Sequence, residues 1–458
     1  MPTPADDRPI AAPRTSPGST GAGAGRPAWT VLDRVRSELG SVPHLDAPDA
    51  APLPVPLPSR LATGELALAS VSVVMLAAGR SPATIDPHRV AVAYRSDRFL
   101  TLDGAAPSVW SPFSGFWRTT DGWIRTHGNY PHHADGLRAG LHLTDDADAD
   151  EVRSALAERT RAEAVSAITS ACGLAVPVLA EDPARDRALR ALPLLDVRGF
   201  DSAPSATPPP SITTALPLRG VRVLDLTRVI AGPVCTRILA LLGADVLRID
   251  PPQLAEPEWQ HLDTGHGKRS ALLDARTARM HELLSQADAV VLGYRPSALR
   301  RLGLDSDELA ERYPRLVVAQ LSAWGVEQPE RAGFDSLVQA ESGIALVESV
   351  DGSTPGALPA QALDHSAGYL LAAAVIVLLD RRARDGGTWH VRTSLRRIAA
   401  ELLGMPRRRE PQPESDFDVE PHLARFVVDG RTLVTSRPAL TGLEFAAPHR
   451  WGVDHPAW

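Results

Sequence analysis

Two positions in this 458-residue chain pair a chemically capable side chain with the start of a helix. Asp364 precedes the apolar run "SAGYLLAAAVIVLLDRR", where a helix amino terminus would keep a carboxylate ionised and fixed in place. On position alone it is an ordinary helix cap, and a nucleophilic role needs a further reason. His365 beside it is a general base or a polar residue on the same turn, and the plainer reading is preferred. Arg228 stands in the turn Arg228-Val229-Ile230-Ala231-Gly232-Pro233, between a β-rich run and a helix. A permanent cation with a fork of donors at a helix amino end suits an anionic, phosphorylated ligand. The alternative is a surface arginine followed by a Gly-Pro helix start. The turn lacks G-x-G-x-x-G, so a dinucleotide pyrophosphate finds no glycine-lined approach there.

Other reactive types offer less. The pairs His261/His266 and His132/His133 have no matching cysteine or carboxylate set, so they read as surface histidines and no metal is expected. Cys172 and Cys235 sit among small or apolar residues and read as small buried hydrophobes of a reduced, cytoplasmic protein. The net charge of −7 gives no electrostatic reason to expect nucleic acid or an anionic membrane, which leaves a small molecule as the default partner. The amino terminus lacks the basic start and apolar core of a signal peptide, and the longest apolar run, residues 369–379, falls short of the roughly 20 residues that cross a bilayer.

The elements that must position these residues fall into two parts. Residues 1–58 read as a disordered or extended segment containing one short helix with Trp29, Val31, Leu32, Val35 and Leu39 along one side. A first folded part, 59–200, opens with the helix "ELALASVSVVMLAAG" and carries a hairpin around Asp121-Gly122, one helix over 149–173 and the strand "AVPVLA". A Pro/Ser/Thr-rich stretch over 201–217 reads as a linker. Over 218–404, the strands "GVRVLDLT", "ADVLRID", "ADAVVLGY" and "PRLVVAQLSAW" alternate with helices, including ones at about 276–286 and 296–311. Alternation of this kind predicts an α/β domain, a parallel sheet with helices on both faces. Residues 405–458 read as a loop with short strands. In such a sheet, ligands bind outside the carboxyl ends of the strands, which makes the 227–233 turn the first place to look.

At this point the motifs matter as a series. "LPLRGVRVLDLTRVIAGPVCTRILALLGADVLRID", "GKRSALLDART", "ADAVVLGYRPSALRRLGL", "YPRLVVAQLSAWG", "AGFDSLVQAESGI" and "LDHSAGYLLAAAVIVLLDRRARDGGTWHVRTSL" follow one another over residues 216–400. In that order they resemble the class III CoA transferases of the CaiB/BaiF type, which include formyl-CoA transferase, carnitine-CoA transferase and α-methylacyl-CoA racemase. "SPFSGFWRTTDGWIRTHGN" and "RTRAEAVSAITSACGLAVPVLA" are similar to the smaller α+β domain that follows the large one in the family. Here they precede it, so the chain resembles a circularly rearranged member.

The resemblance implies a Rossmann-like sheet domain, coenzyme A or acyl-CoA as substrate with a carboxylic acid as co-substrate, and a homodimer. It implies Asp364 as the covalent nucleophile, forming an anhydride and then an enzyme thioester. Arg228, Val229 and Ala231 match one part of the family's CoA site. Gly293, Tyr294 and Arg295 match another, with Ala298 and Arg301 on the following helix. Tyr294 stacks on adenine or is a core aromatic; Lys268 and Arg269 contact phosphate or form a solvated basic turn. Phe334 occupies a position where the racemase branch carries a histidine, which argues for transfer over racemisation. The segment between "RID" and "GKRS" is short, about 17 residues, and the family's glycine-rich loop has no counterpart. A non-catalytic acyl-CoA-binding relative is therefore the alternative.

Overall fold

The computed structural model describes residues 26–40, 53–200 and 216–458. Of the expected amino-terminal segment, residues 1–25 and 41–52, together with nearly all of the 201–217 linker, lie outside the described residues.

Seven strands form the large sheet: β1 (Asp196–Phe200), β2 (Arg222–Leu226), β3 (Asp245–Asp250), β4 (Arg269–Leu272), β5 (Ala289–Leu292), β6 (Val317–Ser322) and β7 (Thr388–Ser394). Their spatial order is β1-β7-β6-β5-β2-β3-β4. All neighbours are parallel except β1, which pairs antiparallel with β7. From β2 the chain winds outward through β3 to β4, then crosses back to β5, β6 and β7. The direction of winding therefore reverses between β2 and β5, whose register Leu226↔Leu292 brings their carboxyl ends side by side. That reversal opens a crevice for a ligand.

Alternate residues of the strands serve two cores. Val223, Val291, Val317 and Ala319 face one, with the helices α1 (Thr63–Ala77), α2 (Ala231–Leu241) and α3 (Ala362–Asp385). Leu224, Val290, Leu292 and Val318 face the other, with Met280, Leu283 and Leu309 from shorter helices. Both faces are covered, as the apolar strands predict. Helix α3 is long and apolar enough to cross a membrane by length and composition alone, yet its most apolar stretch is wholly buried here. It crosses α2 closely because Gly368 has no side chain: a Cβ there would lie 2.6 Å from the Ala231 carbonyl oxygen.

The division of the amino-terminal half differs from the expected one. The helix Arg26–Leu39 places Val31, Leu32, Val35 and Leu39 in the same core as α1, α2 and α3, so this part of 1–58 is folded against the large domain. Helix α1 and strand β1 also belong to the large domain, so 59–200 is not one separate unit. A distinct small core is confined to Phe113, Trp117, Ile124, Leu137, Val152, Ile168, Ala175 and their neighbours. It contains the hairpin Phe116–Thr119/Gly122–Thr126, with Ala175–Pro177 alongside. Two helices expected as single stretches are broken. Ala149–Ala157 and Arg161–Ser170 are separated where Thr160 and Glu163 form a capping box. Pro296–Arg301 and Ser306–Arg312 are separated at Gly303, whose φ of 67° no ordinary helix admits. The carboxyl-terminal hairpin Leu423–Val428/Arg431–Ser436 pairs with Thr101–Leu102.

Candidate active site

The β2–α2 turn begins on strain. Val229 has φ +73°, a conformation that a β-branched residue adopts only when its surroundings impose it. They do so from the short 251–267 segment. The Val229 N–H donates to Glu256, and the Arg228 guanidinium donates to the Ala255 carbonyl at 3.0 Å. Glu256 is anchored in turn by the buried Arg248, which also holds Asp250 at 2.7 and 3.0 Å. Arg228 is half-buried, lies 5.0 Å above the Tyr130 ring, and has a buried Nε with no partner among the described residues.

Beside this turn, β5 ends in Gly293, where a Cβ would press to 3.1 Å on the Thr227 side chain. Glycine lets the two strand ends approach. A cavity of about 540 Å³ lies at this crevice, lined by Arg228, Val229, Gly293, Tyr294, Arg295 and Ala298 from the large domain. Its opposite wall is the small domain, with Tyr130, His132, His133 and Cys172. Tyr294 and Ala298 also line a second, mostly apolar cavity of about 330 Å³ together with Leu226, Ile249 and Leu302.

Four residues expected at the cofactor do not line the crevice cavity. Lys268 is buried, donating to Asp225 at 3.0 Å and to the Pro233 carbonyl at 2.9 Å, so it is a scaffold group and no solvated turn. Burial lowers its pKa to about 8. Arg269 lies on strand β4 and pairs with Asp245. Ala231 is buried in the first turn of α2. Arg301 is exposed and pairs with Glu330 at 3.3 Å, outside the cavity lining.

Asp364 is the third residue of α3, after the cap position Gln361, and does not cap the helix itself. That work is done from another helix, Asp335–Ser342: Asp335 accepts the Asp364 N–H at 3.0 Å and also a bond from Gln339. The Asp364 side chain is 6% exposed and its carboxyl makes no hydrogen bond among the described residues. The helix end does not hold its pKa down, contrary to expectation. Burial, reinforced by Asp335, raises it well above the usual carboxylate range. Burial likewise pushes Asp335 up to about 6. His365 is buried, stacks on Tyr94 at 4.9 Å and is held neutral, its pKa lowered to about 3 by burial.

Phe334 stacks on His127 with ring centroids 3.9 Å apart. His127 is buried and lowered to about 3, and its ring also meets Trp110 edge-on at 6.2 Å. The remaining histidines differ from the surface reading in part. His261 and His266 are buried and bond to the carbonyls of His449 and Ala446, and His133 is partly buried in the cavity wall. Cys235 is buried, but Cys172 is exposed. One group among the described residues, Asp86, His88 and His422, brings possible metal-donor atoms within 4.8 Å of one another, and none of the three lines these cavities. Asp335 was legible only as the residue after Phe334 in "AGFDSLV"; its bond to Asp364 joins segments 29 residues apart. Nothing local in the sequence marks His127 or Tyr130.

Residues 218–408 match CoA-transferase family III. A probable fatty acyl-CoA transferase, Rv3272, from Mycobacterium tuberculosis is 32% identical over 233 residues, covering 45% of this chain and 59% of that protein. A succinyl-CoA–D-citramalate CoA-transferase from Chloroflexus aurantiacus is 32% identical over 188 residues, 37% of this chain and 47% of its own length. The crystal structure of Rv3272 aligns with a TM-score of 0.39 at 32% identity, over 41% of this chain and 57% of that one. The chain thus spans about half the length of the curated relatives it matches. On that segment, residues 218–408, this chain is similar to CoA-transferase family III.

Proposed function

We propose that this chain moves coenzyme A from an acyl thioester to a free carboxylic acid, with Asp364 as the covalent nucleophile. The observation that carries the reading is a crevice cavity lined by Arg228, Arg295 and Phe334, together with a buried carboxyl outside that lining, Asp364, whose backbone N–H is held by the residue after Phe334 and which has no hydrogen-bonding duty of its own. The Arg228 fork suits CoA phosphates, and the apolar cavity under Tyr294 has the lining for an adenine ring. Residues 113–178 supply the small-domain wall from the amino-terminal side, which fits a circularly rearranged family member.

The chemistry runs through carboxyl exchange. Ionised Asp364 attacks the acyl carbon and expels the CoA thiolate, leaving a mixed anhydride. The thiolate then attacks the Asp364 carbonyl, releasing the first acid and leaving CoA bound as an aspartyl thioester. The incoming carboxylate attacks this thioester, forming a second anhydride and freeing the thiolate. The thiolate finally attacks the new acyl carbon, which yields the product thioester and restores the Asp364 carboxylate. Phe334, stacked on a neutral His127, offers no proton carrier at its position, which favours transfer over racemisation.

The test is mass spectrometry of the intact protein after incubation with an acyl-CoA, followed by hydroxylamine treatment and peptide mapping. A CoA-sized adduct on the intact protein, replaced after hydroxylamine by a hydroxamate on the Asp364 peptide and absent in Asp364→Ala, is expected. An Asp364→Ala protein that still turns over overturns the mechanism.

A further inference from the structure

A third cavity, of about 560 Å³, lies on the other side of the Asp335–Ser342 helix from the CoA crevice. Phe334 and Leu337 of this region face the crevice, whereas Ser336 and Gln339 face the third cavity. It is lined by residues that flank Asp364. Gln361, the cap of α3, lines it, and so does Gln339, which bonds to Asp335.

Arg125 forms part of its wall and is 9% exposed. Its guanidinium has no carboxylate partner and makes no hydrogen bond among the described residues, and its Nε is fully buried and unsatisfied. It is sandwiched by aromatic faces, with Trp110 at 5.0 Å and Phe116 at 4.8 Å. Ring faces attract the cation but accept none of its in-plane N–H groups. Burial lowers its pKa only to about 10, so it stays charged at neutral pH. The Ser336 hydroxyl, also buried in this wall, has no partner either. Asp97 lines the cavity as well, but Arg98 lines it beside Asp97. A buried cation without an anion is costly, and the cavity it faces is where the missing anion fits.

We infer that Arg125 is a specificity-determining residue that binds a second, non-reacting carboxylate of the acyl group, so that the site selects dicarboxylic acids. This rests on the transferase reading, because the carboxyl held by the Arg125 fork is withdrawn from reaction and a different one must meet Asp364.

The test is calorimetric titration of the full chain with succinate and with butyrate, which share a carbon count and differ in one carboxylate. Wild type, Arg125→Gln and Arg125→Lys are compared, with a CoA titration of each in parallel. Succinate is expected to bind wild type about tenfold or more tightly than butyrate. Arg125→Gln should lose that preference, Arg125→Lys should retain part of it, and CoA affinity should stay unchanged in both. Equal affinity of wild type for the two acids, or a preference that survives in Arg125→Gln, overturns the inference. Should Arg125→Gln fail to fold, Arg125→Lys decides: full retention of the preference overturns the bidentate role. Failure of the transferase reading looks different, since CoA would not bind, or Asp364→Ala would stay active, while the succinate preference persisted.

Discussion

Asp335 accepts the backbone N–H of Asp364 at 3.0 Å, so one buried carboxyl holds in place the helix turn that carries another. The pair shares a low-dielectric site, and Asp335 makes ionisation of Asp364 harder. An attacking carboxylate must be ionised, so transfer should accelerate as pH rises through the elevated Asp364 titration. Asp335→Asn removes one of the two charges and should move the midpoint of the pH–rate profile downward. A midpoint unmoved by Asp335→Asn would show that the two carboxyls are not coupled.

The same group links stability to pH. Asp335 titrates near 6 in the folded chain and near 4 when unfolded, so between those values the folded state binds more protons. Its contribution is therefore complete below about pH 4 and is lost as pH rises through about 6. Urea unfolding at pH 4.5 and pH 7 should show this fall in wild type and a shallower one in Asp335→Asn.

Arg228 and Arg301 should separate in CoA binding. Arg228 is half-buried in the crevice wall with an unsatisfied Nε, whereas Arg301 is exposed and engaged with Glu330. Arg228→Ala should weaken CoA by about tenfold or more, and Arg301→Ala by less than about threefold. Calorimetric titration of the two single variants reads the difference.

Lys268→Met should damage the scaffold and spare the chemistry. It strands Asp225 as a buried carboxylate whose charge partner is gone, at a cost of about 3–5 kcal/mol. A lowered Tm with unchanged CoA affinity in the folded fraction is expected. Weakened CoA affinity with a normal Tm would restore Lys268 to the binding site.

Gly232→Ala tests the turn itself. A Cβ at Gly232 would lie 2.3 Å from the Thr227 Cβ, and Thr227 is held by Asp225. Overpacking of this kind costs about 1–3 kcal/mol and should appear in denaturant midpoints.

The sequence by itself determined the alternating strands and helices, the ligand end of the sheet and the location of Asp364, because hydrophobic period and motif order are local properties. It also marked Arg228, Val229, Gly293, Tyr294, Arg295 and Ala298, which the β2/β5 reversal brings to one cavity. Tertiary structure alone decided the rest. Lys268 read as a phosphate contact or a solvated turn until packing buried it against Asp225, and Asp364 read as a carboxylate held ionised by its helix end until Asp335 took over the capping from a distant helix. Arg125 was one arginine in a hairpin until the small domain folded it between two rings, away from any anion. Burial and charge pairing depend on contacts between segments far apart in the chain, and those same contacts set the protonation and partners of each group.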